Sequence, residues 1–296
     1  MNEYSTKEYK DFYGEFNAWQ VKEKTWVISY MHGHNYVFLL EGEEKALLID
    51  TAMGANNLRK YVESLTDKPV VVANTHYHID HIGGNGEWEE VFMSEGAKID
   101  EVACGFMAAM LPVPIDYSKF PYADYKKSYL HTGDIIDLGG REIEVIEAKP
   151  AHSCSGLYFL DKTNRLFFPG DDLEPGESGR IQMGMYAMAP AEATAGVPSL
   201  KERLENMRAN SLLMKERSDE FDLVLPCHNG CPMAKSYIDD FIGLIDGIFA
   251  KEIKPTGLNG SQMDEIDEAQ MMTCLQHKAA SIYVATAEYK EMLEQI

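Results

Sequence analysis

The sequence predicts a mixed α/β protein, and three observations carry that prediction. Short apolar runs of strand composition recur along the chain, and four of them lead into a histidine or an aspartate. Two longer stretches, 200–215 and 233–251, carry helical apolar spacing with charged faces. Apolar residues make up 45% of 296, enough for a large core that needs no metal to hold it together. Taken in order, 35–40 and 45–49 form a hairpin turning at Glu41-Gly42-Glu43-Glu44, and 56–65 is helical. The run 69–73 is a strand that feeds His76-Tyr77-His78-Ile79-Asp80-His81 and then the glycine-rich turn Ile82-Gly83-Gly84. No repeats or low-complexity segments occur, and the last fifty residues carry no readable signal.

Three imidazoles and a carboxylate in six residues are the densest chemistry in the chain. Neutral imidazole is the commonest protein ligand for a borderline metal, and carboxylate adds a harder oxygen donor. The i, i+2 spacing cannot place His76 and His78 on one helix face, so the run is not a zinc helix of the HExxH kind. On an extended loop alternate residues point the same way, which lets His76 and His78 share one ion and leaves Asp80 and His81, past the bend, for a second. One loop cannot close two coordination shells. Three more segments place a ligand-type residue beyond a strand's carboxyl end, where α/β active sites collect: His152 after 143–146, Asp171 after 166–168, and His228 after 223–226.

With these motifs in this order, the chain resembles the metallo-β-lactamase-fold hydrolase superfamily from about Tyr30 to Ala250. The resemblance implies a four-layer αββα sandwich, two β-sheets with helices on both outer faces, formed here as a single domain over 1–296. It implies one ion held by His76, His78 and His152, a second held by Asp80, His81 and His228, and Asp171 bridging both opposite a bridging hydroxide. Asp50, closing the strand Leu47-Leu48-Ile49-Asp50-Thr51, would orient a loop or a ligand histidine. Zinc is the default metal, and iron or manganese would also accept this donor set. Asp171 stands where antibiotic-hydrolysing members lack a bridging aspartate, which argues against β-lactamase activity. His78 stands where flavo-diiron members carry glutamate.

Two stretches interrupt the pattern and are expected to roof the site, at about 104–128 and 175–198. The first holds Tyr117, Phe120, Tyr122 and Tyr125; the second holds Met183, Met185, Tyr186 and Met188. His32 and His34 precede the first hairpin and are expected at the surface, while His131 and His277 have no motif context. Cys227 and Cys231 flank His228 without a second cysteine pair, so they are expected to be ordinary thiols. Five cysteines, an odd number, suit a reducing cytoplasm, and neither a transmembrane run nor a secretory leader is evident.

A formal net charge of −21 with no basic cluster opposes binding of nucleic acid, and no membrane partner is expected. The expected partner is a small-molecule substrate, with the oligomeric state left open, a homodimer included. Metal ligation brings the pKa of water from 15.7 towards ~7, so the bridging hydroxide would be the nucleophile and Asp80 a catalytic proton carrier. The expected function is therefore hydrolysis of a small ester, lactone or thioester. A sulfatase or phosphodiesterase of the same fold is the alternative, and a non-hydrolytic di-metal redox or sensor protein the alternative of another class. A glutathione thioester would want a basic patch, and Lys251, Lys254 and Lys278 are too scattered in sequence to make one.

Overall fold

The computed structural model describes residues 15–54, 57–110, 124–175, 181–256, 263–267 and 269–296. The chain runs β1 (Asn17–Lys22), β2 (Thr25–Tyr30), β3 (Asn35–Glu41), β4 (Ala46–Ile49), helix α1 (Leu58–Val62), β5 (Val70–Ala73), the single turn α2 (Ile79–Ile82), β6 (Glu90–Met93), α3 (Ala97–Met110) and β7 (Lys126–Tyr129). It continues through β8 (Ile135–Asp137), β9 (Glu142–Glu147), β10 (Leu157–Asp161), β11 (Leu166–Phe168), β12 (Ile181–Gln182), α4 (Leu200–Glu216), β13 (Leu223–Val224) and β14 (Met233–Ala234). The last stretch holds α5 (Tyr237–Phe249), β15 (Pro255–Thr256), β16 (Met272–His277), β17 (Ala280–Ala285) and α6 (Thr286–Gln295).

Among the described residues the strands form three sheets. The first keeps sequence order from β1 to β7, antiparallel as far as β4 and parallel beyond it. The second has the order β14-β13-β11-β10-β9-β8. The period-two alternation of strand side chains sorts the core into layers. In β4, Leu47 and Ile49 face the second sheet while Ala46 and Leu48 face outwards. In β10, Leu157 and Phe159 face the first sheet while Tyr158 and Leu160 face outwards. The inner faces meet in a layer that includes Phe38 and Phe168, whose rings pack edge to face at 5.1 Å. Outside the first sheet lie Leu58 and Val62 of α1 and Ala97 and Cys104 of α3; outside the second lie Leu204 of α4, Phe241 of α5 and Tyr289 of α6. Helix on sheet, sheet on sheet, and helix again: this is the expected αββα sandwich. Helix α4 begins at Ser199, whose hydroxyl accepts from Glu202 N–H while the Glu202 carboxylate accepts from Ser199 N–H, a capping box.

The sequence expectations need four corrections. Residues 104–110 belong to α3 and 126–129 to β7, so the first roof stretch is shorter than expected. The helix is described as far as Met110. Residues 111–123, with Tyr117, Phe120 and Tyr122, lie outside the described residues. The helix expected from 233 starts at Tyr237, because Met233 and Ala234 pair with the open edge of β13 instead. Met183, expected to line a roof, is fully buried in the core outside the second sheet. Finally, the last fifty residues build much of a third sheet, β12-β17-β16-β15. Its β12 comes from the second roof stretch, pairing Ile181 with Ile282.

Candidate metal centre

Every expected ligand lies at the carboxyl-end rim of the two main sheets, and the structure brings all seven together. His76 follows β5 through a bend, and His78, on extended backbone, is the residue before α2, which turns Asp80 and His81 back toward them. His152 sits on the loop from β9 to β10, Asp171 follows β11, and His228 follows β13. Gly170 makes the turn before Asp171 with φ +59, and a Cβ there would stand 3.0 Å from Thr75 Cβ.

Four overlapping groups result, with ligand atoms within 4.8 Å of one another. They are His76/His78/His152, His76/His81/Asp171, Asp80/His81/His228, and Asp50/His81/Cys227 behind them. Asp171 Oδ2 is central: it lies 3.7 Å from His76 Nε2, 3.5 Å from His152 Nε2, 3.3 Å from His81 Nε2 and 3.1 Å from His228 Nε2. His152 Nε2 faces His78 Nδ1 at 3.0 Å, and His81 Nε2 faces His228 Nε2 at 3.2 Å. Asp80 Oδ2 completes the outer group, 3.5 Å from His81 Nε2 and 3.2 Å from His228 Nε2.

The surrounding bonds fix which ring nitrogens carry protons. Asp50 is fully buried and accepts four times, from Thr75 N–H, the Thr75 hydroxyl, His81 Nδ1 and the Cys227 thiol. A carboxylate here can only accept, so His81 Nδ1 holds its proton and Nε2 is the ring nitrogen left facing the cluster. The Thr75 hydroxyl already donates to Asp50, so at 3.1 Å it is left to accept from His76 Nδ1, which frees His76 Nε2 in the same way. His76 Nε2 and Asp171 Oδ1 are buried without any hydrogen-bond partner, as are His78 Nε2 and His152 Nδ1. Buried polar atoms are ordinarily satisfied, and the unpartnered His76 Nε2, 3.7 Å from Asp171 Oδ2, is one that a bound cation would satisfy.

Protonation follows the same logic. Burial, reinforced by the neighbouring imidazoles, keeps His76 and His78 below the ordinary histidine range and lowers His152 to about 3, leaving the neutral ligating form. Burial alone would lower His81 and His228 too, but the charge of Asp171 above all raises both well above that range. The three-histidine group is thus ready for a cation, and the carboxylate-rich group demands positive charge in its midst. Residues and donor chemistry fit two divalent cations, one per group with Asp171 between them.

Several residues at the site escaped the sequence reading. Asp172 accepts from His152 N–H at 3.3 Å and from Asn210 Nδ2 at 3.0 Å; burial pushes its carboxyl up to about 6. Glu174, also buried, accepts from Asn229 Nδ2 at 2.8 Å, and burial, with the charge of Asp171, pushes it up to about 7. Asn35 donates to Asp80 Oδ2 at 3.3 Å and the Tyr30 hydroxyl donates to the Asp80 carbonyl. Adjacency to Asp171 was the only signal for Asp172, and the others had none. His32 and His34 are exposed, as expected, and His131 is exposed beside Glu147. The five cysteines form no disulfide.

The model of the metallo-β-lactamase superfamily matches residues 30–210, more than half of the chain. The chain belongs to the metallo-β-lactamase superfamily. Over 160 residues it is 25% identical to human acyl-coenzyme A thioesterase MBLAC2, covering 46% of this chain and 57% of that protein. Over 185 residues it is 30% identical to a hydroxyacylglutathione hydrolase of Nostoc sp., covering 59% of this chain and 62% of that protein. The chain therefore spans somewhat over half the length of these curated relatives. Among solved structures it is similar to the sec-alkylsulfatase Pisa1 of Pseudomonas sp., with a TM-score of 0.58, 16% identity, and 80% and 42% of the two chains covered. It is similar also to a β-lactamase domain protein of Burkholderia ambifaria, with a TM-score of 0.57, 18% identity, and 91% and 95% covered. At these identities the structures speak for the metallo-β-lactamase fold alone. Among the described residues, no helix is long and apolar enough to cross a membrane.

Proposed function

We propose that this chain is a dinuclear metal-dependent hydrolase of small esters, lactones or thioesters. The observation that carries the reading is Asp171 Oδ2, within 3.7 Å of four imidazoles drawn from both groups. His76, His78 and His152 would hold one ion, Asp80, His81 and His228 the other, and Asp171 would reach both. Zinc suits the imidazole-rich set, with iron or manganese as substitutes. Bound there, divalent cations would bring the pKa of water from 15.7 towards ~7 and polarise an acyl carbonyl.

The chain's own residues do the rest. Asp50 keeps His81 in the tautomer that presents Nε2. Asp80, the most exposed of the seven at 27%, is placed to carry a proton between the site and solvent, its carboxylate steadied by Asn35. The relatives that act on coenzyme A and glutathione thioesters favour a thioester among the three substrate classes. The lysines that a glutathione carrier would use are engaged elsewhere: Lys254 with Asp264, Lys278 with Asp240, and Lys251 with the Leu293 carbonyl. Together with a net charge of −21, this favours small neutral or singly charged substrates over polyanions. The test is metal analysis of the purified protein with a panel of lactones, thioesters, sulfate esters and phosphodiesters. Two ions per chain and turnover of the carboxylic or thioester members are expected. Turnover confined to sulfate esters or phosphodiesters, or no turnover with redox-active diiron, would overturn the reading.

A further inference from the structure

One buried carboxylate outside the seven-residue cluster touches the loops of three of its histidines. Asp100, on α3, is 1% exposed. Its Oδ1 accepts from the Cys154 N–H at 3.2 Å and from the Tyr186 hydroxyl at 2.5 Å, and its Oδ2 accepts from the Ser155 hydroxyl. Ser155 Oγ in turn accepts from the Tyr77 N–H at 2.8 Å. Tyr77 lies between His76 and His78, and Cys154 lies two residues beyond His152. The Cys154 N–H also points at the Tyr186 oxygen, 3.0 Å away, and the Tyr186 ring stands 6.4 Å from that of His78. At the start of the same helix, a Cβ on Gly96 would fall 1.9 Å from the Cys154 carbonyl oxygen, so helix and loop meet backbone to backbone.

We propose that Asp100 is a positioning residue for the His76/His78/His152 half of the metal centre, acting through Ser155, the Cys154 amide and Tyr186. The proposal rests on the dinuclear reading above. Asp100 touches no ligand atom; it fixes the two loops relative to each other, so that three imidazoles converge before an ion arrives. On the other side of His152, Asp172 holds the His152 N–H, which leaves that loop gripped from both flanks. The His228 loop has no link to Asp100 among the described contacts, so the effect should fall on one ion only.

The test is stepwise zinc and cobalt(II) binding to metal-free protein, followed by cobalt absorbance, in Asp100→Asn, Ser155→Ala and Tyr186→Phe. Asparagine keeps the shape and one acceptor but presents an NH2 where the carboxylate accepted from Ser155. Supporting groups around metal ligands are commonly worth ~10–100-fold in affinity. One binding step should weaken by that factor in Asp100→Asn, and by less in the other two variants, while the second step holds. Melting of the metal-free variants separates this from plain destabilisation. A lowered melting temperature with both binding steps as in the unaltered protein would overturn the proposal, as would equal weakening of both steps. If Asp100→Asn does not fold, the same split in Ser155→Ala decides. An unaltered protein that binds no metal sinks this proposal and the dinuclear reading together. Two ions, a split in Asp100→Asn and no substrate turned over remove only the hydrolase reading.

Discussion

His76, His78 and His152 are 4–6% exposed, and the loops that carry them are tied down by Asp100 and Asp172, both buried. In the neighbouring group the side chains of Asp80 and His228 are 27% and 14% exposed, and only His81 is sealed, against Asp50. The first group presents three neutral nitrogens in a dry setting; the second mixes nitrogen with carboxylate and opens toward solvent. The difference separates two tasks. In the dinuclear reading proposed above, the closed half would hold an ion, and the open half would be where water, substrate and protons come and go.

The harshest way to break this comparison is to remove the atom common to both halves. Asp171→Ala should lose at least one ion and about 100-fold or more of any turnover, since loss of a ligand or its support commonly costs ~10–100-fold and, in the proposed reading, two ions would share this one. His131→Ala, at an exposed ring beside Glu147, is the matched control and should change neither. Two tightly held ions in Asp171→Ala would refute the shared position.

Graded chelation should then separate the halves. Ions should leave in two steps, the looser step belonging to Asp80/His81/His228; His228→Ala should abolish that step and His152→Ala the tighter one. The reverse assignment would invert the comparison. Far-UV circular dichroism should persist through both steps, because large apolar cores on both sides of the sheets hold the fold without the metal.

Asp50→Asn probes the join. It keeps the side chain's size but cannot accept from Thr75 and His81 alike. A loss of ~10–100-fold in affinity for the open-half ion is expected by competition titration, with the closed half less affected.

The mildest test lies away from the metals, in the ion network of Arg217, Lys162, Glu144 and Glu220. Hydrogen bonds from Arg217, ahead of Lys162, hold the Glu144 and Glu220 carboxyls down to about 2 from an ordinary 4.5. A depressed carboxyl adds stability that is complete above the unfolded value and lost as pH falls through the folded one. Arg217→Met should therefore cost up to ~1 kcal/mol at pH 7, as partly exposed networks do, with the gap closing between pH 4.5 and about 2. Chemical denaturation against pH measures it, and metal content should not move.

The metal ligands were legible because His76 to His81 crowds three imidazoles and a carboxylate into six residues, and because His152, Asp171 and His228 each follow a short apolar run of strand composition. Asp100 was not legible, and Tyr186 was legible only as an aromatic of the second roof stretch. An aspartate inside a helix points outward in most chains, and only the tertiary contact with Cys154 and Ser155 shows that this one points in. The third sheet was hidden for a related reason. In β17, Ala280, Ser281, Ile282, Val284 and Ala285 are all buried, so both faces are covered and the alternation that marks a strand disappears. The two-residue β12 offers no period to detect.

That third sheet has a consequence for the order in which the protein is made. All seven candidate ligands have been synthesised once residue 228 is added, yet β12, on the segment between Asp171 and His228, finds its partner only when Ile282 emerges. At ~5–20 residues per second, the ribosome leaves those ligands and an unpaired strand waiting for roughly 3–11 s. A metal-binding cluster would exist in outline while the strand carrying its neighbouring turn is still unanchored. The hairpin of β16 and β17 is thus the closing clasp of the molecule, and pausing translation before it should leave a nascent chain whose 181–188 region is open to proteases.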